Sequence, residues 1–287
     1  MTREEKYRVF VALHERPGAF VIANPWDAGS ARILAAVGFE ALATTSAGFA
    51  FSIGALDSSA DLSRAGVLDN ARSIVEATSL PVSADLENGF GRTPEICAET
   101  IRLAMATGLV GGSIEDASGD PAAPIYDLPL AIERIEAATE AARGHPFVLT
   151  ARAENYLHGR PNLDDTVRRL KAFADAGADV LYAPGLPDLE SIREVCAAVG
   201  KPVNVVMGLA GPTFSVDELA HAGVKRISVG GAFARAALGA LVRAAREVKD
   251  KGTFTFARDA LPHAQARAYM DRANPLRPAS AHDLKKI

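Results

Sequence analysis

One pattern constrains this chain more than any other. A short apolar run, a loop and a stretch with helical spacing recur eight times between Ala19 and the alanine-rich segment 233–249. Parallel strands need a crossover, and a helix is the usual one, so the alternation predicts a parallel sheet. Eight units favour a closed (β/α)8 TIM-type barrel over an open doubly wound sheet. Strands are expected at 20–24, 41–46, from 81, and at 112–115, 147–152, 180–183, 202–207 and 226–229, with a loop rich in Ser, Gly and Phe running from the second strand to Asp61. Thr93, Pro94 and Glu95 supply a cap, a first-turn proline and a first-turn acid for a helix to about 107. No G-x-G-x-x-G follows the first strand, which argues against a dinucleotide fold.

Chemistry in such a barrel sits at the carboxyl ends of the strands, and the polar residues fall there. The run 81–91, PVSADLENGFG, delivers Asp85 and Glu87, and because side chains alternate along a strand both are expected on one side. One unit later, GGSIED delivers Glu115 and Asp116. Carboxylates converging from neighbouring strands suit a hard cation, Mg2+ with Mn2+ as the substitute, and Asp85, Glu87 and Glu115 are the candidate ligands. Asn24 and Asp27 follow strand one, Ser46 and Asp57 follow strand two, Arg152 and Glu154 end strand five, and Asn204 lies within strand seven. Arg152 carries a planar fork that matches a carboxylate, whether that of Glu115 or Glu154 or that of a substrate. Ser46, Ala47 and Gly48 offer a hydroxyl and backbone N–H groups to a second anionic oxygen. The segment 117–127, with a glycine and two prolines, is a lid candidate. Trp26 and Tyr182 suit packing as well as they suit substrate walls, and the six histidines show no ligand spacing and read as structural or surface groups.

A net charge of -4 and a pI near 5.9 leave no basic stripe for nucleic acid, and no Lys/Arg run suggests a membrane surface. A small anionic substrate is the expected partner. Cys97 and Cys196 lack metal or disulfide spacing. No apolar run reaches membrane-span length and the first ten residues are charged, so a cytoplasmic protein is expected. The barrel with an N-terminal helix is assigned to 1–250, and a helical extension, suited to subunit contact, to 251–287.

These residues resemble the isocitrate lyase and phosphoenolpyruvate mutase superfamily. The matching pieces, in order, are Gly29-Ser30-Ala31-Arg32 before Gly38-Phe39, Thr45-Ser46-Ala47-Gly48, Asp85-Leu86-Glu87-Asn88-Gly89-Phe90-Gly91, Ile114-Glu115-Asp116 and Thr150-Ala151-Arg152. The resemblance implies a barrel whose last helix is exchanged between subunits of a dimer or tetramer. It implies Mg2+ held directly by Asp85, and by Glu87 and Glu115 directly or through water. It further implies a 2-oxo acid whose carboxylate meets Ser46 and Gly48, near Arg152 and Asp57. Three departures stand out. The Lys-Lys-Cys-Gly-His loop of the lyases is replaced by ASGDPAAPIYD, the lysine and asparagine of the mutase loop are absent, and Glu87 stands where aspartate is usual. The expected activity is Mg2+-dependent C–C cleavage or decarboxylation of a small 2-oxo or 2-hydroxy acid. Arg152, Asp57 and Glu115 are the catalytic candidates, Asn204 contacts substrate, and Tyr126, Glu154 or Asp57 replaces the missing cysteine as proton carrier. The alternatives are phosphoryl transfer of the mutase type and a non-catalytic 2-oxo-acid binding protein.

Overall fold

The polypeptide begins by building a plug. Helix α1 (Arg3–Glu15) starts in a capping box between Thr2 and Glu5 and inserts Phe10 and Leu13 among Phe20, Ile22, Val110, Val148 and Val180, at the amino ends of the strands. The rest is a computed structural model of a barrel, and it describes residues 1–57, 61–208 and 210–271. Its strands are β1 (Phe20–Ile22), β2 (Leu42–Ala43), β3 (Val82–Asp85), β4 (Gly111–Glu115), β5 (Val148–Arg152), β6 (Val180–Tyr182), β7 (Val203–Val206) and β8 (Arg226–Ser228). All are parallel, in the order β1-β8-β7-β6-β5-β4-β3-β2, and a bridge between Ala23 and Leu42 closes the ring. The (β/α)8 expectation is met.

Helices α2 (Ala28–Val37), α4 (Arg64–Ala77), α5 (Pro94–Ala106), α6 (Leu128–Ala142), α7 (Leu163–Asp175), α8 (Leu189–Val199) and α9 (Val216–His221) are the crossovers. Side-chain caps from Asp27, Ser63, Asn162, Asp188 and Ser215 start five of them, each accepting an N–H from the first turn. Their apolar faces and the strands' outward residues, among them Ile74, Ile101, Ile114, Leu149, Leu170 and Phe173, form one continuous core. Gly111 exists for the plug, because a Cβ there would stand 3.0 Å from the Phe10 ring.

Two expectations need correction. Strand two, expected at 41–46, is only Leu42–Ala43, and helix α3 (Ser46–Ser52) begins where loop was expected. Thr45 caps it through the Gly48 N–H, and such a cap signal is easily lost in a Ser/Gly-rich stretch. The helical extension expected over 251–287 begins instead as a 3-10 turn, Thr255–Arg258, followed by α11 (His263–Met270), with Pro262 dividing the two. Helix α11 lies on α2, where Arg32 donates to the Met270 carbonyl at 3.0 Å. Residues 58–60 of the β2–α4 connection and 272–287 of the extension lie outside the described residues.

The long helix α10 (Ala232–Lys251) behaves unlike the others, since only Ala234 is buried. Leu238, Leu241 and Val242 remain exposed, Leu241 at 64%. Among the described residues, no helix is long and apolar enough to cross a membrane.

Asn24 fastens the ring at its closure. Its Oδ1 accepts the N–H groups of Val229 and Gly230 at 2.8 and 3.0 Å, and its Nδ2 donates to the Thr44 carbonyl at 3.1 Å. Asn24→Ala orphans two half-buried donors and an acceptor. It should cost about 2–4 kcal/mol in denaturant unfolding.

Candidate active site

A cavity of ≈ 1080 Å³ opens at the carboxyl ends of the strands. Asp85 is the last residue of β3, and the chain then turns so that Glu87 (φ 47) and Phe90 (φ 60) occupy the left-handed region without being glycine. Strand alternation therefore does not bring Glu87 beside Asp85. A turn does, held by the Glu87 N–H on Asp85 Oδ1 at 3.3 Å and by the Glu115 N–H on the Glu87 carbonyl at 3.0 Å. Arg134, fully buried on α6, secures the turn from beneath. Its guanidinium donates to the carbonyls of Asn88, Gly91 and Arg92 and lies 4.4 Å from the centre of the Tyr126 ring.

At the middle of the site is Arg152, whose side chain is 12% exposed. Nη1 meets Asp85 Oδ1 at 2.9 Å, Nη2 meets Glu115 Oε2 at 3.1 Å and Nε meets Glu154 Oε1 at 2.8 Å, while the guanidinium sits over the Tyr182 ring. Burial alone would lower the Arg152 pKa, but Glu154, Glu115 and Asp85 together raise it well above its ordinary value. Burial pushes the Glu115 carboxyl well above the carboxylate range despite Arg152, and Glu154, Asp85 and Glu87 push it further. Burial, then Asp85 and Asp57, bring Glu87 up to about 7.

Ser46 stands opposite. Its hydroxyl donates to Asp85 Oδ2 at 3.0 Å and lies 3.4 Å from Asp57 Oδ1. Ala47 lines the cavity beside it. Gly48 is buried, its N–H given to Thr45 Oγ1 at 3.3 Å, and a Cβ there would press on Thr45 and Trp26 at 2.7 and 2.9 Å. Asn204 is buried in the floor, where its Oδ1 accepts from Arg226 at 2.9 Å and its Nδ2 donates to Ser228 at 3.1 Å.

Some expected neighbours lie elsewhere. Asp116 points away from Glu115, to Arg169 at 3.0 Å and to the Glu154 N–H at 2.8 Å, so it does not join the carboxylate group. Tyr126 is buried beneath the guanidinium of Arg134 and does not line the cavity. The lid candidate is a small hairpin, closed by the Ala117–Ile125 bridge and anchored where Arg169 donates to the Tyr126 carbonyl at 3.0 Å, with Ala117, Ser118 and Gly119 at the cavity edge. His158 lines the mouth, although no spacing signalled it. Arg226 and Arg134 were also missed. A basic residue inside an apolar strand, as Arg226 is, was the available signal for the first.

The donors suit a divalent cation. Asp57, Asp85, Glu87, Glu99, Glu115 and Glu154 line the cavity against Arg64, Arg152 and Arg226, an excess of negative charge. Glu87 Oε1 is buried with no hydrogen-bond partner, which is the kind of atom a cation satisfies. The carboxylates gather on Arg152 rather than forming a ready three-ligand group among the described residues. An ion would therefore share Asp85 and Glu115 with that guanidinium.

A family model, phosphoenolpyruvate phosphomutase, matches residues 10–249. The chain belongs to this family. A Burkholderia cenocepacia structure whose name leaves it between lyase and mutase is 58% identical, with TM-score 0.93, covering 96% of this chain and 99% of that one. A 2,3-dimethylmalate lyase, itself described as a PEP mutase/isocitrate lyase superfamily member, is 27% identical with TM-score 0.81 over 93% and 94% of the two chains. The 2-methylisocitrate lyase of Shewanella oneidensis is 31% identical over 198 residues, 66% of this chain and 67% of that one. The family thus joins lyases and mutases on one barrel, and the resemblance read from Asp85-Leu86-Glu87 and Thr150-Ala151-Arg152 is correct.

Glu87 gives the site a pH signature. Its folded pKa of about 7 lies above the ordinary 4.5, so the folded chain holds the proton more tightly than the unfolded chain. The stability it contributes is complete below pH ~4.5 and is lost as pH rises through 7. The metal-free protein should lose about 2 kcal/mol between pH 5 and 8 in denaturant titrations, and Glu87→Gln should flatten that slope.

Proposed function

We propose that this chain is a Mg2+-dependent lyase that cleaves a C–C bond, or removes CO2, next to the 2-oxo or 2-hydroxy carbon of a small carboxylic acid. The observation that carries the reading is the partly enclosed guanidinium of Arg152 among Asp85, Glu115 and Glu154, with the unsatisfied Glu87 oxygen in the same cavity. Asp85, Glu87 and Glu115 would hold the ion, and when bound it would supply a Lewis acid for the substrate's oxo and carboxylate oxygens.

The side chains divide the remaining work. Of the five N–H groups on Arg152, three face carboxylates, leaving one on each terminal nitrogen to receive a substrate oxyanion. Tyr182 backs the guanidinium, and Glu154, tied to Nε, fixes its plane. Ser46 and the adjacent Ala47 border the substrate carboxylate, with Gly48 giving the backbone room to approach. Asp57 is exposed at the cavity edge beside Ser46, and of the three proton carriers considered it is the one placed to exchange with water. Tyr126 is removed from that role by its burial under Arg134. The lyase names of two relatives support C–C cleavage. The hairpin 117–127 bears no lysine or arginine to hold a phosphoryl group in transfer, which sets the mutase reading second.

A panel of oxaloacetate, isocitrate, 2-methylisocitrate, 2,3-dimethylmalate and phosphonopyruvate, assayed with Mg2+ and with chelator, tests the reading. Mg2+-dependent release of a smaller oxo acid or of CO2 supports it. Conversion of phosphonopyruvate alone would make the chain a mutase, and binding without turnover a carrier. Asp85→Ala should lower turnover at least a thousandfold and abolish Mg2+ binding by calorimetry, with the circular dichroism spectrum retained.

The protein is further proposed to work as a homo-oligomer built on α10, whose Leu238, Leu241 and Val242 are exposed among the described residues. Exchange of this helix between subunits, implied by the family resemblance, fits a helix that buries one residue at home. Leu241→Glu should shift the sedimentation coefficient to that of a monomer, and Lys249→Glu, nearer the helix end, should not.

A further inference from the structure

Five residues in hydrogen-bonding register cross the barrel wall as a continuous row: Glu115 on β4 pairs with Arg152 on β5, then Tyr182, Asn204 and finally Arg226 on β8. Strands of a barrel tilt, so a row of register partners descends from the rim toward the floor. Its upper end is the site already described. The lower end is a second guanidinium, Arg226, 5% exposed and held, among the described residues, by neutral acceptors. Nε donates to Asn204 Oδ1 at 2.9 Å, Nη2 donates to Thr150 Oγ1 at 3.0 Å, and Nη1 lies 3.5 Å from His14 Nε2. The plug explains the last contact. His14 Nδ1 is engaged by the Phe10 carbonyl at 2.8 Å, and burial followed by the charge of Arg226 holds the imidazole neutral, down to about 3. Among the described residues, no carboxylate lies within ion-pair distance of Arg226, and burial lowers its pKa to about 10 with only Tyr182 opposing.

A buried cation with neutral partners is costly. Thr150 lies two residues before Arg152 on the same face of β5, so the Arg226 guanidinium sits one pleat repeat, roughly 7 Å, below the Arg152 position. At that depth in a weakly polar interior, its field reaches the cavity with little screening.

We propose that Arg226 is a positioning and affinity-setting residue of this site: a permanent positive floor that weakens the hold of the carboxylates on the metal ion, strengthens the hold on a dianionic substrate, and locks the Asn204 amide in one orientation. The inference rests on the metal-and-oxo-acid reading of the cavity and adds what that reading lacks, a cationic counterpart committed to no acid. The charge works in opposite directions on the two ligands. Its removal should tighten Mg2+ and loosen the anion, each by roughly ten- to fiftyfold for a unit charge at this separation. A residue that served packing alone would lose both affinities together.

The test uses calorimetry on the full-length protein, with Mg2+ alone and then with oxalate at saturating Mg2+. Arg226→Gln should bind Mg2+ more tightly and oxalate more weakly, and Arg226→Lys should fall between it and the parent. His14→Glu is the second variant. It leaves Arg226 and Asn204 in place and sets a carboxylate against the guanidinium from the plug side, so it should show the same opposite shifts if Arg226→Gln fails to fold. Parallel losses of both affinities, or no change in either, would overturn the proposal. If the parent protein binds no Mg2+, the metal reading falls by itself. The oxalate arm then decides alone, with weaker oxalate binding in both variants supporting the positive floor and unchanged binding refuting it.

Discussion

Everything at the mouth of this barrel depends on the charge of Arg152 being out of water. A guanidinium exposed to bulk solvent would gain little from three nearby carboxylates, but at this depth each contact is weakly screened and the desolvation cost must be offset by all of them. The partners come from three different strand ends, so the position of Arg152 and the closure of the sheet are one problem. Asp85 is placed by β3, Glu115 by β4 and Glu154 by the loop after β5. A one-residue slip in any of these pairings would turn an inward acid outward, and the cluster therefore specifies the register as much as the register specifies the cluster.

The same argument explains the residues just outside the cavity. Asp116 and Arg169 form a second, largely buried pair whose task is to hold the base of the 117–127 hairpin, and Arg134 does the equivalent for the turn 88–92. The polar network is layered, with catalytic candidates facing the cavity and rigidifying pairs behind them. A site that must keep like charges together needs such backing, since the carboxylates would otherwise move apart.

Much of this was legible in the amino-acid order. Eight alternating units fixed the architecture, and strand-end position identified Asp85, Glu115 and Arg152, because the barrel maps chain order onto one rim. What escaped has a common physical cause. The short helix α3 depends on the Thr45 cap and on contact with later segments, not on an amphipathic pattern of its own. Asp116 could not be separated from Glu115 by spacing, because which of two adjacent acids faces inward depends on where the strand ends. The burial of Tyr126 depends on Arg134, which comes from the following helix and leaves no trace in the spacing around Tyr126. Arg226 carries a local signal, a base inside an apolar strand, but its meaning comes from His14 and Thr150, each far away along the chain.

The start of α10 touches the site more closely than its exposure suggests. Gly231, its N-cap, leaves no room for a Cβ nearer than 3.1 Å to Ala47, and a Cβ on Gly48 would stand 3.3 Å from Ala234. The backbone that carries Ser46 thus leans on the root of a rod whose outer length stays exposed among the described residues. On the oligomer proposed above, whatever grips the far end of that rod would become a mechanical support of the cavity, and dilution that freed the rod would slacken the cavity before the barrel itself began to melt.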